Sequence, residues 1–278
     1  MSWWAVDVRT PASQRDKVGA WLVARTGQAV EEREDGVLVA FAPDEESAAA
    51  LVQELGSRRD ASLQVAPHRL DTTDWTTRWR SGLGPRKLGR ITIVPSWLPE
   101  AVEPDALTVV LDPESAFGSG EHGSTRVALT LLSQLLHPKD KVIDLGSGSG
   151  ILAIGAIKLG AARAVGIEID GAANEVAVRN AARNGVSERV AFLEGDAAVL
   201  APLVGPADLL LSNILRVVNT DLLPGISGAL RPGGLAIFSG MEESEREEFR
   251  EVLAEASFTP IQETVDSGWW GVAAERPR

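Results

Sequence analysis

The 278-residue sequence predicts an α/β fold: a Rossmann-like domain with a largely parallel sheet, preceded by a small α+β unit. Three observations predict it. From about Leu107 onward, apolar strand candidates alternate with helix-spaced segments, the pattern of a parallel sheet with helices on both faces. The loop Asp144-Leu145-Gly146-Ser147-Gly148-Ser149-Gly150 follows one of those strands and opens a helix. Residues 1–66 read as strand, helix, hairpin, helix and strand, the βαββαβ order of a ferredoxin-like unit.

In the first unit, Trp3 to Val8 alternates like a strand, and Ala12 to Arg25 carries Val18, Trp21 and Leu22 at helical spacing. Asp35-Gly36 is a favoured turn pair, so Ala29–Glu34 and Val37–Ala42 form the expected hairpin. Pro43 and the acids Asp44, Glu45 and Glu46 suit a helix start, and Ser62–Ala66 closes the unit as a strand. Residues 67–104 read as a connector, punctuated by Pro85, Pro95 and Pro99 and bearing Trp75, Trp79 and Trp97, with one helix near Asp74–Arg80. Its tryptophans read chiefly as packing residues, with ligand stacking as the alternative. Residues 105–278 form the large domain. Its strand candidates are Val142–Leu145, Ala164–Glu168, Val190–Glu194, Asp208–Ser212 and Leu235–Ser239. Helices fit at Ile151–Leu159, Ala172–Asn184, Val217–Leu230 and Ser244–Ala256, and Thr259–Val265 with Trp269–Glu275 reads as a terminal antiparallel pair.

Composition narrows the chemistry. Cysteine is absent, which excludes disulfides, thiolate catalysis and cysteine zinc sites and fits a reducing cytoplasm. The three histidines, His68, His122 and His137, are too scattered to suggest a metal site. The net charge of −12 suits a basic partner or simple solubility, and it disfavours a grip on nucleic acid phosphates. No apolar run approaches the ~20 residues that span a bilayer, and the start lacks the basic and apolar regions of a secretory signal.

The glycine loop reads G-x-G-x-G, with Asp144 two residues ahead of its first glycine. A dinucleotide fold uses G-x-G-x-x-G over a pyrophosphate, beside which Asp144 would sit awkwardly. The acid suits instead a ligand bearing a sulfonium and an ammonium group. Gly146 and Gly148 let such a ligand approach the main chain. Glu168 ends the next strand, ~20 residues on, where a carboxylate can accept both ribose hydroxyls. Asp170 reads as a helix N-cap. Asp196, after the third strand, suits either an adenine amino group or a surface turn. Asn213, at the tip of the fourth strand, can accept hydrogen bonds from an amine and orient its lone pair, or it can cap the next helix. The long polar loop from Leu111 to Arg126 suits a cover over the ligand, with Thr125 bonding a methionine portion and His122 ordering the loop.

These residues together resemble one family, the ribosomal protein L11 methyltransferases (PrmA). Its loop D-P-x-x-A-F-G-T-G-x-H-x-T-T is matched from Asp112-Pro113 through Ala116-Phe117-Gly118 to His122 and Thr125. Its Asn-Ile-Leu is matched by Asn213-Ile214-Leu215, and its connector pattern by Asp74-Trp75, Trp79 and Pro95-Ser96-Trp97. Three departures stand out: Glu168 where the family usually has aspartate, Ser124 for the first threonine, and Arg216 for a small residue after Asn-Ile-Leu.

The resemblance implies a class I methyltransferase domain with a seven-stranded mixed sheet behind a small recognition domain. It implies S-adenosyl-L-methionine as cofactor, held by Thr125, Gly146, Glu168 and Asn213. It implies methylation of lysine side chains and the α-amino group of ribosomal protein L11. The expectation is therefore a cytoplasmic, monomeric protein N-methyltransferase with Asn213 as its catalytic residue and Gly148 and Asp196 as further cofactor contacts. No metal, membrane or direct nucleic acid contact is expected. A methyltransferase of the same fold acting on another protein or a small molecule is the alternative. A nicotinamide oxidoreductase and a non-catalytic ribosome-associated module are the competing classes.

Overall fold

A computed structural model describes residues 4–11, 14–26, 30–32, 36–56, 63–69, 84–102, 107–114 and 116–278. The chain divides into two compact units, Met1–Gly82 and Leu83–Arg278.

In the first unit, β1 (Trp4–Arg9), α1 (Arg15–Thr26), β2 (Glu31–Glu32), β3 (Val37–Ala42), α2 (Glu45–Gly56) and β4 (Gln64–Arg69) follow the predicted order. The four strands form one antiparallel sheet in the order β2-β3-β1-β4. Val6 and Val8 from β1, Leu38 and Ala40 from β3, and Leu22, Leu51 and Leu55 from the helices make a common core. Asp44 caps α2, its Oδ1 accepting the Ser47 N–H at 2.7 Å, so the acidic helix start expected from sequence is realised. β4 begins and ends later than the expected closing strand. The predicted turn residue Asp35, the connector tryptophans Trp75 and Trp79 and the expected helix near Asp74–Arg80 lie outside the described residues.

The second unit holds β5 (Arg86–Leu88), β6 (Ile91–Pro95) and β7 (Thr108–Leu111), a three-stranded sheet in that order. Two of its strands arise inside the stretch expected to be a connector. Gly89, with φ of +59°, allows the tight turn between β5 and β6, and the β-branched run Ile91-Thr92-Ile93-Val94 buries three of its four side chains.

The main sheet follows: α3 (Gly123–Leu135), β8 (Lys141–Leu145), α4 (Ile151–Leu159), β9 (Arg163–Glu168), α5 (Gly171–Arg183), β10 (Val190–Glu194), α6 (Ala197–Val204), β11 (Ala207–Asn213), α7 (Arg216–Ala229), β12 (Leu230–Glu242), α8 (Arg246–Glu255), β13 (Thr259–Asp266) and β14 (Trp269–Glu275). Its seven strands run β10-β9-β8-β11-β12-β14-β13. The first five pair in parallel and the last two join antiparallel, so this is the seven-stranded mixed sheet expected. One apolar layer gathers Leu129, Leu132, Ile154 and Leu209, and the other gathers Ile143, Leu210, Phe238, Phe249 and Trp270. α6 is a short helix that the sequence reading left out. Among the described residues, no helix is long and apolar enough to cross a membrane.

Strand order reverses between β8 and β9 on one side and β8 and β11 on the other. The carboxyl ends of those strands therefore flank a crevice, the place where open α/β sheets bind ligands. Beside it, α5 and its C-terminal cap grip the end of β7 through two asparagines. Asn184 exchanges hydrogen bonds with the Val110 N–H and C=O at 2.8 and 2.7 Å, and Asn180 does the same with Asp112 at 3.0 and 3.0 Å. The match is geometric: four residues of helix advance about 6 Å, and two residues of strand advance about 6.6 Å. The polar loop that leaves β7 is thereby anchored at Asp112.

Candidate active site

The floor of the crevice is the turn after β8. Gly146, Gly148 and Gly150 all adopt positive φ, at +65°, +50° and +80°, a conformation that side chains resist. A Cβ on Gly148 would also lie 2.6 Å from the Phe117 carbonyl oxygen. That contact exists because the polar loop folds onto the glycine turn: Ser149 donates its N–H to Phe117 O at 2.9 Å and its hydroxyl to Gly118 O at 2.6 Å.

Glu168 sits at the end of β9, beside this turn. Its Oε2 accepts the Gly148 N–H at 2.9 Å, and its Oε1 accepts the N–H groups of Ile169 and Asp170 at 2.9 and 3.1 Å. Three backbone donors thus fix the carboxylate before any ligand arrives, with lone pairs left over for ribose hydroxyls. Asp170 caps α5 by accepting the Ala172 N–H at 2.9 Å, as expected. Asp196 caps α6 in the same way, bonding Ala198 N at 2.8 Å, and it still lines the crevice.

Asp144 behaves differently from the sequence expectation. It is only 1% exposed and lies beneath the glycine turn, where its Oδ2 accepts the Ala153 N–H at 3.1 Å near the start of α4. Burial pushes its pKa up to about 8; the Ala153 hydrogen bond opposes this and the nearby Glu168 charge adds to it. Burial thus favours the neutral form of Asp144, and the carboxylates that line the crevice are Glu168 and Asp196.

Asn213 ends β11 and lines the crevice. The cap of α7 is Leu215, without a side-chain hydrogen bond, so Asn213 does not cap that helix. Its Nδ2 makes a long 3.4 Å hydrogen bond to Thr125 Oγ1, and its buried Oδ1 has no partner among the described residues. Thr125 is wholly buried and meets Asn213, while the adjacent Ser124 lines the crevice. His122 Nδ1 lies 2.7 Å from Ser124 Oγ, the loop-ordering contact expected of it. Burial, with Arg126 nearby, lowers the His122 pKa, which favours the neutral ring. Arg216 is engaged by Glu245 and Glu248 at 3.1 and 2.8 Å and does not line the crevice.

The open crevice has a volume of about 590 Å³, within the usual range for small-molecule sites. Several of its walls were assigned no role from sequence. Trp269, at the start of β14, stands 4.2 Å from the His122 ring by centroids, and Phe117 meets His122 edge-on at 5.3 Å. Ile169 and Leu215 line the crevice while remaining 75% and 69% exposed, so its rim is apolar. Aromatic and aliphatic walls around a few fixed acceptors can hold a flat, polar-edged ligand and can strip water from an incoming amine. The donors and acceptors fit an adenosyl cofactor: Glu168 for a ribose, a glycine-rich turn for close approach, and a buried acceptor on Asn213 without a partner among the described residues.

Comparison with known proteins agrees with this geometry. The family model described as ribosomal protein L11 methyltransferase (PrmA) matches residues 6–277. Curated relatives called ribosomal protein L11 methyltransferase include one from Thermus thermophilus, 40% identical over 70% of this chain and 75% of its own length. Another, from Pelotomaculum thermopropionicum, is 37% identical over 84% of this chain and 74% of its own. Among solved structures, a ribosomal protein L11 methylase from Lactobacillus delbrueckii subsp. bulgaricus is 33% identical with a TM-score of 0.64, covering 70% of this chain and 100% of that one.

Proposed function

This chain belongs to the ribosomal protein L11 methyltransferase (PrmA) family, and we propose on that premise that it moves methyl groups from S-adenosylmethionine to lysine side chains and the α-amino group of ribosomal protein L11. The observation that carries the chemical part is Asn213: a buried amide oxygen without a partner among the described residues, at a strand end in the crevice that the fixed carboxylate of Glu168 also lines.

Bound in the crevice, S-adenosylmethionine supplies an electrophilic methyl group together with its leaving group, so no metal is required. The chain's own residues do the rest. Glu168 would accept the ribose hydroxyls, Gly146 and Gly148 would admit the ligand to the main chain, and Asp196, whose other oxygen caps α6, would accept from the adenine amino group. The target nitrogen must arrive as a neutral amine, although a free lysine has a pKa of about 10.4. Apolar walls at Ile214, Leu215 and Trp269 disfavour its ammonium form, and the proton leaves to solvent. Asn213 Oδ1 then accepts one amine hydrogen and turns the nitrogen lone pair toward the methyl carbon, an orientation effect.

We assign substrate choice to the first unit, because every proposed cofactor contact lies after Asp112. An acidic chain of net charge −12 suits a basic ribosomal protein. We place the enzyme in the cytoplasm, acting as a monomer. The test is incubation with methyl-labelled S-adenosylmethionine and purified L11, followed by mass spectrometry of the labelled positions. Label on L11 lysines and its amino terminus is expected, with turnover falling about 10²-fold in Asn213→Ala. Label confined to another protein or a small molecule would transfer the activity to the alternative substrate class. Undiminished turnover in Asn213→Ala would refute the orienting role.

A further inference from the structure

One buried polar side chain near the crevice has no part in the chemistry just described. Asn219 lies in the first turn of α7 and is wholly buried. A buried amide in a helix must find partners for its donors and acceptor. This one finds them on three pieces of backbone or side chain around the tip of β11. Its Oδ1 accepts the Ser212 hydroxyl at 2.6 Å, and its Nδ2 donates to Ile214 O at 2.9 Å and to Ser239 O at 3.2 Å. Ser212 and Ile214 are the residues immediately before and after Asn213. Ser239 stands opposite Asn213 in the β11–β12 register, and its hydroxyl reaches Ser124 O at 2.8 Å.

Asn213 itself is loosely held. Its amide nitrogen has one long bond to Thr125 and its oxygen has no partner among the described residues. The direction of that oxygen is therefore set by the backbone on either side, which Asn219 grips. Gly240 completes the arrangement: a Cβ there would lie 2.4 Å from Ile214 O, so the Ile214 peptide packs flush against β12.

We propose that Asn219 is a positioning residue for methyl transfer, fixing through Ser212 and Ile214 the direction of the Asn213 carbonyl oxygen. The proposal rests on the orienting role given to Asn213 above. A fully satisfied buried network of this kind selects one local conformation, and orienting a reacting group is sensitive to small displacements.

The test is a double-mutant cycle in the full chain, with S-adenosylmethionine and L11 as substrates. Asn219→Ala is expected to lower kcat about tenfold or more while the affinity for S-adenosylhomocysteine changes less than about twofold. In the Asn213→Ala background the same change is expected to cost nothing further in kcat. Ser212→Ala, which removes one bond and leaves the amide in place, keeps the test alive if Asn219→Ala does not fold. It should show a smaller loss that likewise vanishes without Asn213. If Asn213→Ala slows transfer and the Asn219 and Ser212 losses multiply with it, positioning is overturned and the orienting role stands. If Asn213→Ala transfers at full rate, both fall together.

Discussion

Asp144 predicts an unusual dependence of stability on pH. A carboxyl whose pKa is higher in the folded chain than in the unfolded one binds its proton more tightly when folded. Its contribution is complete below the unfolded value of about 3.9 and is lost as pH rises through the folded value, about 8. Across that window one such group gives a slope of about −1.4 kcal/mol per pH unit, so the second unit should lose about 3 kcal/mol between pH 5 and pH 7 from Asp144 alone. The other shifted carboxylates do not mask this. The Arg126 hydrogen bonds hold Asp266 down to about 2, and Asp208 is also lowered, so their contributions change only as pH falls below the ordinary carboxylate range. His122 acts in the opposite sense, because its lowered pKa makes stability rise with pH toward 6.5. Comparison with Asp144→Asn, which keeps the shape and cannot ionise, cancels these shared effects. Urea unfolding at half-unit pH steps, followed by helical circular dichroism, measures the difference. The gap between the two proteins should widen by about 3 kcal/mol from pH 5 to pH 7. Parallel pH profiles would show that Asp144 is ionised in the folded chain and that the burial argument fails.

Glu168→Ala removes an acceptor shared by three backbone N–H groups and, on the proposed reading, by two ribose hydroxyls. Hydrogen bonds to a charged acceptor are worth about 1.5–3 kcal/mol each, so calorimetry with S-adenosylhomocysteine should show an affinity loss of about 10²- to 10⁴-fold, accompanied by a lower thermal midpoint. Unchanged affinity would remove Glu168 from the site. A truncation that starts at Leu83 keeps β5 and β6 with their sheet and should bind S-adenosylmethionine normally while losing methylation of intact L11. Full-rate methylation of L11 by that folded truncation would deny the first unit its role in substrate choice.

The elements with strong local signals were legible in the sequence. The strands β8 to β12 announce themselves as short apolar runs, and the glycine turn and Asp170 carry local backbone requirements that only certain residues satisfy. The strands β5 and β6 were hidden because prolines and tryptophans dominate their surroundings. The β-branched run Ile91–Val94 was the signal available there. The role of Asp144 could not be read at all, since the sequence places it beside the glycines without saying that the turn closes over it. Asn219 and Trp269 share that difficulty: Asn219, only six residues past Asn213, folds back onto the strand tip across a turn, and Trp269 reaches the site from a strand end distant in sequence.

The asparagine pairs of α5 have a consequence for how this molecule keeps company with its own copies. β7 is the last strand of its three-stranded sheet, and an unpaired strand edge is a template on which another chain can add. Here the groups that would do the recruiting, the N–H and C=O of Val110 and Asp112, are already spoken for by Asn180 and Asn184. A helix surface stands in for the missing neighbour, and it does so with two side chains whose loss would reopen the edge. The asparagines therefore close this border as well as anchoring a loop, and aliphatic replacements there would leave the edge groups of Val110 and Asp112 without these partners.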